Sequence, residues 1–398
     1  MNYSFSDRLK TMTGAATREI LKLLTRPEIV SFAGGLPATE CLPKKEIAEI
    51  AAEILCGTDA VPALQYGSTE GFKNYLEEVK KYIKETGIEA DSFDNMLTLS
   101  GGQQGIDLMS KAFLNKGDTV LVEDPTYLAA LQIFATYEAN IVGVKSNDDG
   151  LDLEDLTAKI NKHKPKFLYV VPTFSNPTGK TYSIEIRKGI AEITSKHGVM
   201  VLEDDPYSKL RFSGGEINAL KTFDVGDNII YITSFSKIMA PGLRIGAAVG
   251  NKDVIRKMAI GKQGADVSSA HLSQLIAAKY LQKGYLLPNI QKSIPIYKER
   301  KDAMMSAIKK YMPSEYKYND PDGGLFIWGH LDSKIDVAKL IPKAVEKNVA
   351  FIQGSVFYAN GGHENTLRLN YSNASMDKIE AGIKALAGVF KEEIVNVK

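Results

Sequence analysis

A chain of 398 residues is longer than one hydrophobic core usually organises, so its length predicts two domains in one continuous fold. Hydrophobic residues at 44% and charged residues at 24% are the proportions of a soluble globular chain, which excludes a wholly disordered one. Lys+Arg 49 against Asp+Glu 48 leaves a net charge of +1, which excludes a global attraction to nucleic acid or anionic lipid, so any anion must be bound locally.

The first ten residues, Met1 to Lys10, contain no apolar core of signal-peptide length, and no later stretch is long enough to span a bilayer. The expected compartment is the cytoplasm. Cys41 and Cys56 support neither a disulfide framework nor a zinc knuckle and are expected to be buried or half-buried thiols. His163, His197, His271, His330 and His363 form no pair at a metal-binding spacing, so no metal is expected.

From about residue 72 to residue 280, runs rich in Val, Ile and Tyr alternate with helix-period segments, the pattern of a mainly parallel sheet covered by helices. Predicted strands are Met96–Leu99, Thr119–Val122, Asn140–Val144, Phe167–Val171, Met200–Leu202, Ile229–Thr233 and Ile245–Val249. Predicted helices include Gly102–Leu114, Thr126–Ala135, Leu153–Ile160 and Ile184–His197, where apolar positions recur at three- and four-residue spacing. From Gly284 the texture changes to a charged amphipathic stretch, Tyr285 to Tyr311, then a Gly-rich strand region, Gly323 to Trp328, and a strand over Asn365–Tyr371. This predicts a large domain over 45–283, with 1–44 and 284–398 forming an N-terminal arm and a smaller C-terminal domain. There is no internal repeat or Pro-rich linker, so the two are expected to share a broad interface.

Ligands of open α/β sheets collect beyond the carboxyl ends of the strands, and here those positions carry a coherent set. Lys237, just past an apolar strand, is an amine able to form a Schiff base with a carbonyl compound once its pKa is lowered. Ser234 and Arg244 flank it with a hydroxyl and a fixed positive charge suited to a phosphate, and together the three suggest pyridoxal 5'-phosphate. Ser100 to Gly105 is a glycine-rich turn opening a helix, where backbone N–H groups can also receive a phosphate. Asp204, or Asp205 in its place, can keep a pyridine nitrogen protonated. Tyr127 can lie against a ring, and Asn176 and Tyr207 can donate hydrogen bonds to a phenolic oxygen. Arg368, sharing a strand face with Asn370, can grip a carboxylate with two parallel bonds. Taken singly, each has a bland alternative as a turn, cap or surface residue; the set does not.

Ser-Phe-Ser-Lys237 with Pro-Gly-Leu-Arg244, Asn-Pro-Thr-Gly179, Glu-Asp-Asp-Pro-Tyr207 and Thr-Leu-Arg368 occur in an order and spacing that resembles the fold-type-I pyridoxal phosphate enzymes, specifically class I aminotransferases. Ser31 to Pro37, Leu64 to Gly71 and Lys262 to Asp266 look like the branch of 2-aminoadipate and kynurenine/aminoadipate aminotransferases. The resemblance covers nearly the whole chain. It implies an α/β fold with a mainly parallel seven-stranded sheet between helices and a smaller α+β C-terminal domain. It implies that Lys237 holds the cofactor as a Schiff base, Asp204 pairs with the ring nitrogen, Asn176 and Tyr207 contact the phenolic oxygen, and Tyr127 stacks on the ring. Gly102, Gln103, Ser234 and Arg244 are then the phosphate ligands, joined by Tyr66 from a neighbouring subunit, which implies a homodimer. Arg368, Asn176 and Gly35 would face the substrate, and Arg18, on a short helix Thr17–Leu24, a distal substrate carboxylate. The implied activity is ping-pong transfer of an amino group from 2-aminoadipate, an aromatic or another L-amino acid to 2-oxoglutarate. A lyase or decarboxylase on the same fold is the rival within enzymes. A transcription regulator with an aminotransferase-like body is disfavoured, because the chain shows no basic helix-turn-helix extension.

Overall fold

The computed structural model describes residues 3–10 and 26–397; the proposed helix Thr17–Leu24, and with it Arg18, lies outside them. Strand β1 (Val30–Ser31) is followed by the eight strands of the main sheet: β2 (Met96–Leu99), β3 (Thr119–Asp124), β4 (Asn140–Asn147), β5 (Gly150–Leu151), β6 (Phe167–Val170), β7 (Met200–Asp205), β8 (Ile229–Ser234) and β9 (Gly246–Val249). Their order across the sheet is β2-β9-β8-β7-β6-β3-β4-β5. All seven predicted strands are present. The eighth, β5, is a two-residue strand turned back antiparallel on β4, too short to show a periodicity.

Strands β4, β3, β6, β7 and β8 run parallel, so their carboxyl ends share one edge. β9 runs antiparallel to both β8 and β2, which brings its beginning to that same edge. The inner strands read as continuous apolar runs because both of their faces are covered: β6 and β8 are buried at every residue. Among the covering helices, Leu153–His163 starts where the Asp152 side chain accepts from the N–H groups of Glu154 and Asp155. Ile184–His197 starts at Ser183 in the same way and stops at Gly198, whose φ of 65° is left-handed. Gly102–Phe113 differs, since no side chain caps its first N–H groups. The helix expected from Thr126 begins only at Leu128, because Tyr127 is extended and turns toward the sheet edge.

The second sheet is antiparallel, in the order β10 (Lys317–Tyr318), β11 (Phe326–His330), β14 (Thr366–Asn370), β13 (Ile352–Gln353), packed with the long helices Leu286–Tyr311 and Met376–Val397. β12 (Val349–Ala350) pairs in parallel with β1, tying the N-terminal segment to this part of the chain. Cys41 is buried as expected, but Cys56 is exposed, because it ends the helix Lys44–Cys56 on its solvent side. No described helix is long and apolar enough to cross a membrane, and the described residues hold no group of three potential metal ligands.

The loop between β6 and the helix Ile184–His197 is held by an arginine with no exposed surface. Arg187 donates to the carbonyls of Pro172 (2.8 Å), Tyr182 (3.1 Å) and Asn218 (3.2 Å) and to Thr173 Oγ1 (2.8 Å). Glu203, raised to about 7 by burial, is steadied by the same guanidinium. Arg187→Met removes all four of these bonds, including those to the buried Tyr182 carbonyl and Thr173 hydroxyl, so it is expected to cost about 3 kcal/mol and lower the melting temperature by several degrees in calorimetry. An unshifted transition would contradict this account of the loop.

Candidate active site

Beyond the carboxyl edge of the main sheet, where it meets the second sheet, lies a cavity of about 330 Å³. Its lining includes Gly35, Gly102, Gln103, Tyr127, Asn176, Asp204, Tyr207, Ser234, Lys237, Arg244 and Arg368, all singled out in the sequence. The topology explains the convergence. Tyr127, Asn176, Asp204 and Ser234 follow or end β3, β6, β7 and β8, while Arg244 arrives because β9 runs the other way.

Lys237 Nζ donates to the Gly35 carbonyl at 2.7 Å. Burial, with the Arg368 and Arg244 charges adding to it, lowers its pKa from 10.5 to about 8, so free amine is present near neutrality. Asp204 and Asp205 lie on opposite faces of β7, and of the two Asp204 lines the cavity. Asp205 turns away from the cavity and accepts from Tyr231 Oη (2.8 Å), Ser208 Oγ (2.7 Å) and Ser208 N (3.0 Å). Asp204 lines the cavity, and its Oδ2 accepts from Tyr169 Oη at 2.8 Å. Burial pushes Asp204 up to about 7, opposed by the Tyr169 hydrogen bond and aided by the charge of Asp205. No described cation forms an ion pair with it.

Arg368 is buried rather than on an exposed strand face. Its Nη1 donates to Asn176 Oδ1 at 2.6 Å and its Nη2 to the Ala33 carbonyl. The guanidinium lies 4.3 Å from the Phe326 ring centroid and 5.0 Å from that of Phe357. Its Nε is buried without a hydrogen-bond partner. Burial lowers its pKa to about 10, offset by Tyr207 and Tyr127, so it stays charged without a carboxylate beside it.

At the other end, the uncapped N–H groups of the helix Gly102–Phe113 meet Ser234 and Arg244. Gly101 has φ 87°, and a Cβ there would run into the Arg244 guanidinium, whose Nη2 donates to the Ser100 carbonyl at 3.1 Å. Ser236, which carries no sequence signal of its own, also lines the cavity and bonds Ser234 Oγ at 2.9 Å. The apolar wall of Leu36, Leu128, Ile352 and Phe357 is not evident in the sequence, since an apolar side chain carries no sign of which cavity it faces. Tyr66 is 84% exposed and is not part of this lining.

The donor set fits a phosphorylated pyridine aldehyde: hydrogen-bond donors and a guanidinium for the phosphate, an unpaired carboxylate for the ring nitrogen, and an amine for the carbonyl. A model of the family "aminotransferase class I and II" matches residues 30–386. The chain belongs to this family. The aminotransferase is 40% identical to aromatic-amino-acid aminotransferase 1 of Thermococcus litoralis, over 98% of this chain and 94% of the relative. It is 38% identical to 2-aminoadipate transaminase of Thermus thermophilus, over 94% and 93% of the two chains. Among solved structures, the kynurenine aminotransferase of Pyrococcus horikoshii superposes with a TM-score of 0.92 at 42% identity, over 98% of this chain and 97% of that one. The protein is therefore an aminotransferase of fold type I that uses pyridoxal 5'-phosphate.

The lowered lysine pKa has a direct consequence. Capture of pyridoxal 5'-phosphate by the cofactor-free aminotransferase should accelerate with pH about a midpoint near 8, because the ammonium form cannot add to a carbonyl. In Arg368→Leu the loss of a neighbouring positive charge favours the ammonium, so the midpoint should move up. Stopped-flow rates across pH check both; an unaltered enzyme titrating at the ordinary 10.5 would contradict the assignment.

Proposed function

We propose that this aminotransferase moves the amino group of an L-amino acid, with an aromatic, other apolar or 2-aminoadipate side chain, to 2-oxoglutarate by a ping-pong cycle in one site. The observation that carries the reading is Arg368: a buried guanidinium with an unpartnered Nε, in the same cavity as Lys237. Amino acids and 2-oxo acids share only the carboxylate and the α-carbon, so a fixed carboxylate grip beside an amine serves both halves of the cycle. The apolar wall of Leu36, Leu128, Ile352 and Phe357 favours aromatic and apolar donors, in keeping with the aromatic-amino-acid and kynurenine aminotransferases among the relatives.

Pyridoxal 5'-phosphate supplies the carbonyl that takes up the amino group and a conjugated ring that accepts electrons from the α-carbon. The residues of the chain do the rest. Gly102, Gln103, Ser234 and Arg244 would hold the phosphate, Tyr127 would lie against the ring, and Asn176 and Tyr207 would donate toward the phenolic oxygen. Asp204 would keep a proton on the ring nitrogen, and a positive charge there would return its carboxyl to the ionised form. Lys237 Nζ, lowered in pKa, would take the α-proton and return it on the adjacent carbon. Asn176 and the Gly35 backbone orient the substrate with Arg368. Transfer is favoured over decarboxylase chemistry because a carboxylate gripped by Arg368 would stay in place, and over lyase chemistry by the aminotransferases among the relatives.

The enzyme is proposed to act as a homodimer in the cytoplasm, with Tyr66 reaching the phosphate of the partner's site. The support is that Tyr66 (84% exposed), Leu64 and Val61 (73% each) form an apolar surface away from their own cavity.

Arg368→Lys keeps the charge and loses the planar fork, so kcat/KM for the amino donor should fall about 100-fold, on the order of 3 kcal/mol, mostly through KM. Unchanged kinetics would contradict the carboxylate role. A panel of amino acids mixed with the enzyme and followed by loss of the visible cofactor band should show tyrosine, phenylalanine and kynurenine reacting faster than alanine. Release of ammonia or carbon dioxide in place of a 2-oxo acid would contradict amino transfer.

A further inference from the structure

The helix Lys252–Asp266 ends on an ion pair that its own stability does not call for. Lys262 has no exposed side-chain surface, a rare state for lysine, and Asp266 sits in the last turn, the end of a helix dipole that disfavours a carboxylate. Lys262 Nζ donates to both Asp266 oxygens at 2.8 Å and to Gln104 Oε1 at 3.0 Å. Gln104 Nε2 donates to Asp266 Oδ2 at 2.7 Å, so the Gln104 amide is held at both ends.

Every polar group of Ser100 is then taken. Its N–H donates to Gln104 Oε1 (2.8 Å), its Oγ donates to Asp266 Oδ2 (3.1 Å) and lies 3.0 Å from Ser269 Oγ, and its carbonyl accepts from Arg244 Nη2 (3.1 Å). Ser100 is the residue before Gly101 and Gly102, where the backbone turns at positive φ and the uncapped helix begins.

We infer that Lys262, Asp266 and Gln104 are positioning residues for the phosphate end of the site: the buried pair fixes Gln104, Gln104 and Asp266 fix Ser100, and Ser100 sets both the N–H groups of the turn and the aim of Arg244. None of the three lines the cavity. The inference rests on the reading that this turn and Arg244 receive the phosphate.

The test is the dissociation constant of pyridoxal 5'-phosphate for the cofactor-free enzyme, with inorganic phosphate as a competing probe, in Lys262→Met, Gln104→Met and Arg244→Met. Circular dichroism and melting temperature establish that each variant is folded. Lys262→Met and Gln104→Met should raise the constant at least tenfold and weaken competition by inorganic phosphate in parallel, which loss of stability alone would not do. Gln104→Met leaves the ion pair intact and decides the matter should Lys262→Met fail to fold. If both bind the cofactor within twofold of the unaltered enzyme while Arg244→Met binds weakly, the positioning role is wrong and the phosphate reading stands. If Arg244→Met and inorganic phosphate also leave binding unchanged, the phosphate reading falls with it.

Discussion

The site depends on two buried ionisable groups, Arg368 and Asp204, that find no opposite charge among the described residues. Arg368 is held by carbonyl and amide oxygens and by two aromatic faces, and Asp204 by one tyrosine hydroxyl. Burying an ion without a counter-ion opposes folding by several kcal/mol, so such groups persist where something outside the chain completes them. In the proposed function a protonated ring nitrogen completes Asp204, and a substrate carboxylate completes Arg368. Lys237 stands in the same field, and its amine is available because burial, with the Arg368 and Arg244 charges adding to it, disfavours the ammonium.

Around these groups the fold supplies direction rather than chemistry. Parallel strands bring β3, β6, β7 and β8 to one edge, and the reversed β9 adds a guanidinium from a segment that would otherwise point away. The loops are then fixed from behind by fully buried cations: Arg187 beneath the Asn176 loop and Lys262 beneath the Ser100 turn. Arg187 binds backbone carbonyls and a threonine hydroxyl, and Lys262 a glutamine amide oxygen, of the segments that carry cavity residues. Rigid support of this kind keeps the first contacts within the small tolerances that a reaction at one carbon requires.

Much of this was legible in the chain itself. Strand runs ending in polar clusters predicted the sheet edge, and the residues after them are those that line the cavity, because alternation and parallel pairing are local rules. What stayed hidden needed distance. Tyr169 sits within an apolar run and looked like core until its hydroxyl met Asp204. Arg368 could equally have been a surface arginine, and only burial between Phe326 and Phe357 decided it. Lys262 and Asp266 belong to a segment that stands out in the sequence only by its family resemblance, since nothing in their spacing points to Ser100, more than a hundred and fifty residues earlier. The short β5 and the exposure of Cys56 depend on where segments pack, which periodicity does not encode.

The central claim is that one ε-amino group closes this arrangement by bonding covalently to the cofactor. Reduction of the loaded enzyme with borohydride, followed by proteolysis and mass spectrometry, measures it directly. The account requires the phosphopyridoxyl mass on the peptide containing Lys237, at close to one per chain. A label on another lysine, or no label on a protein that remains yellow before reduction, would contradict it.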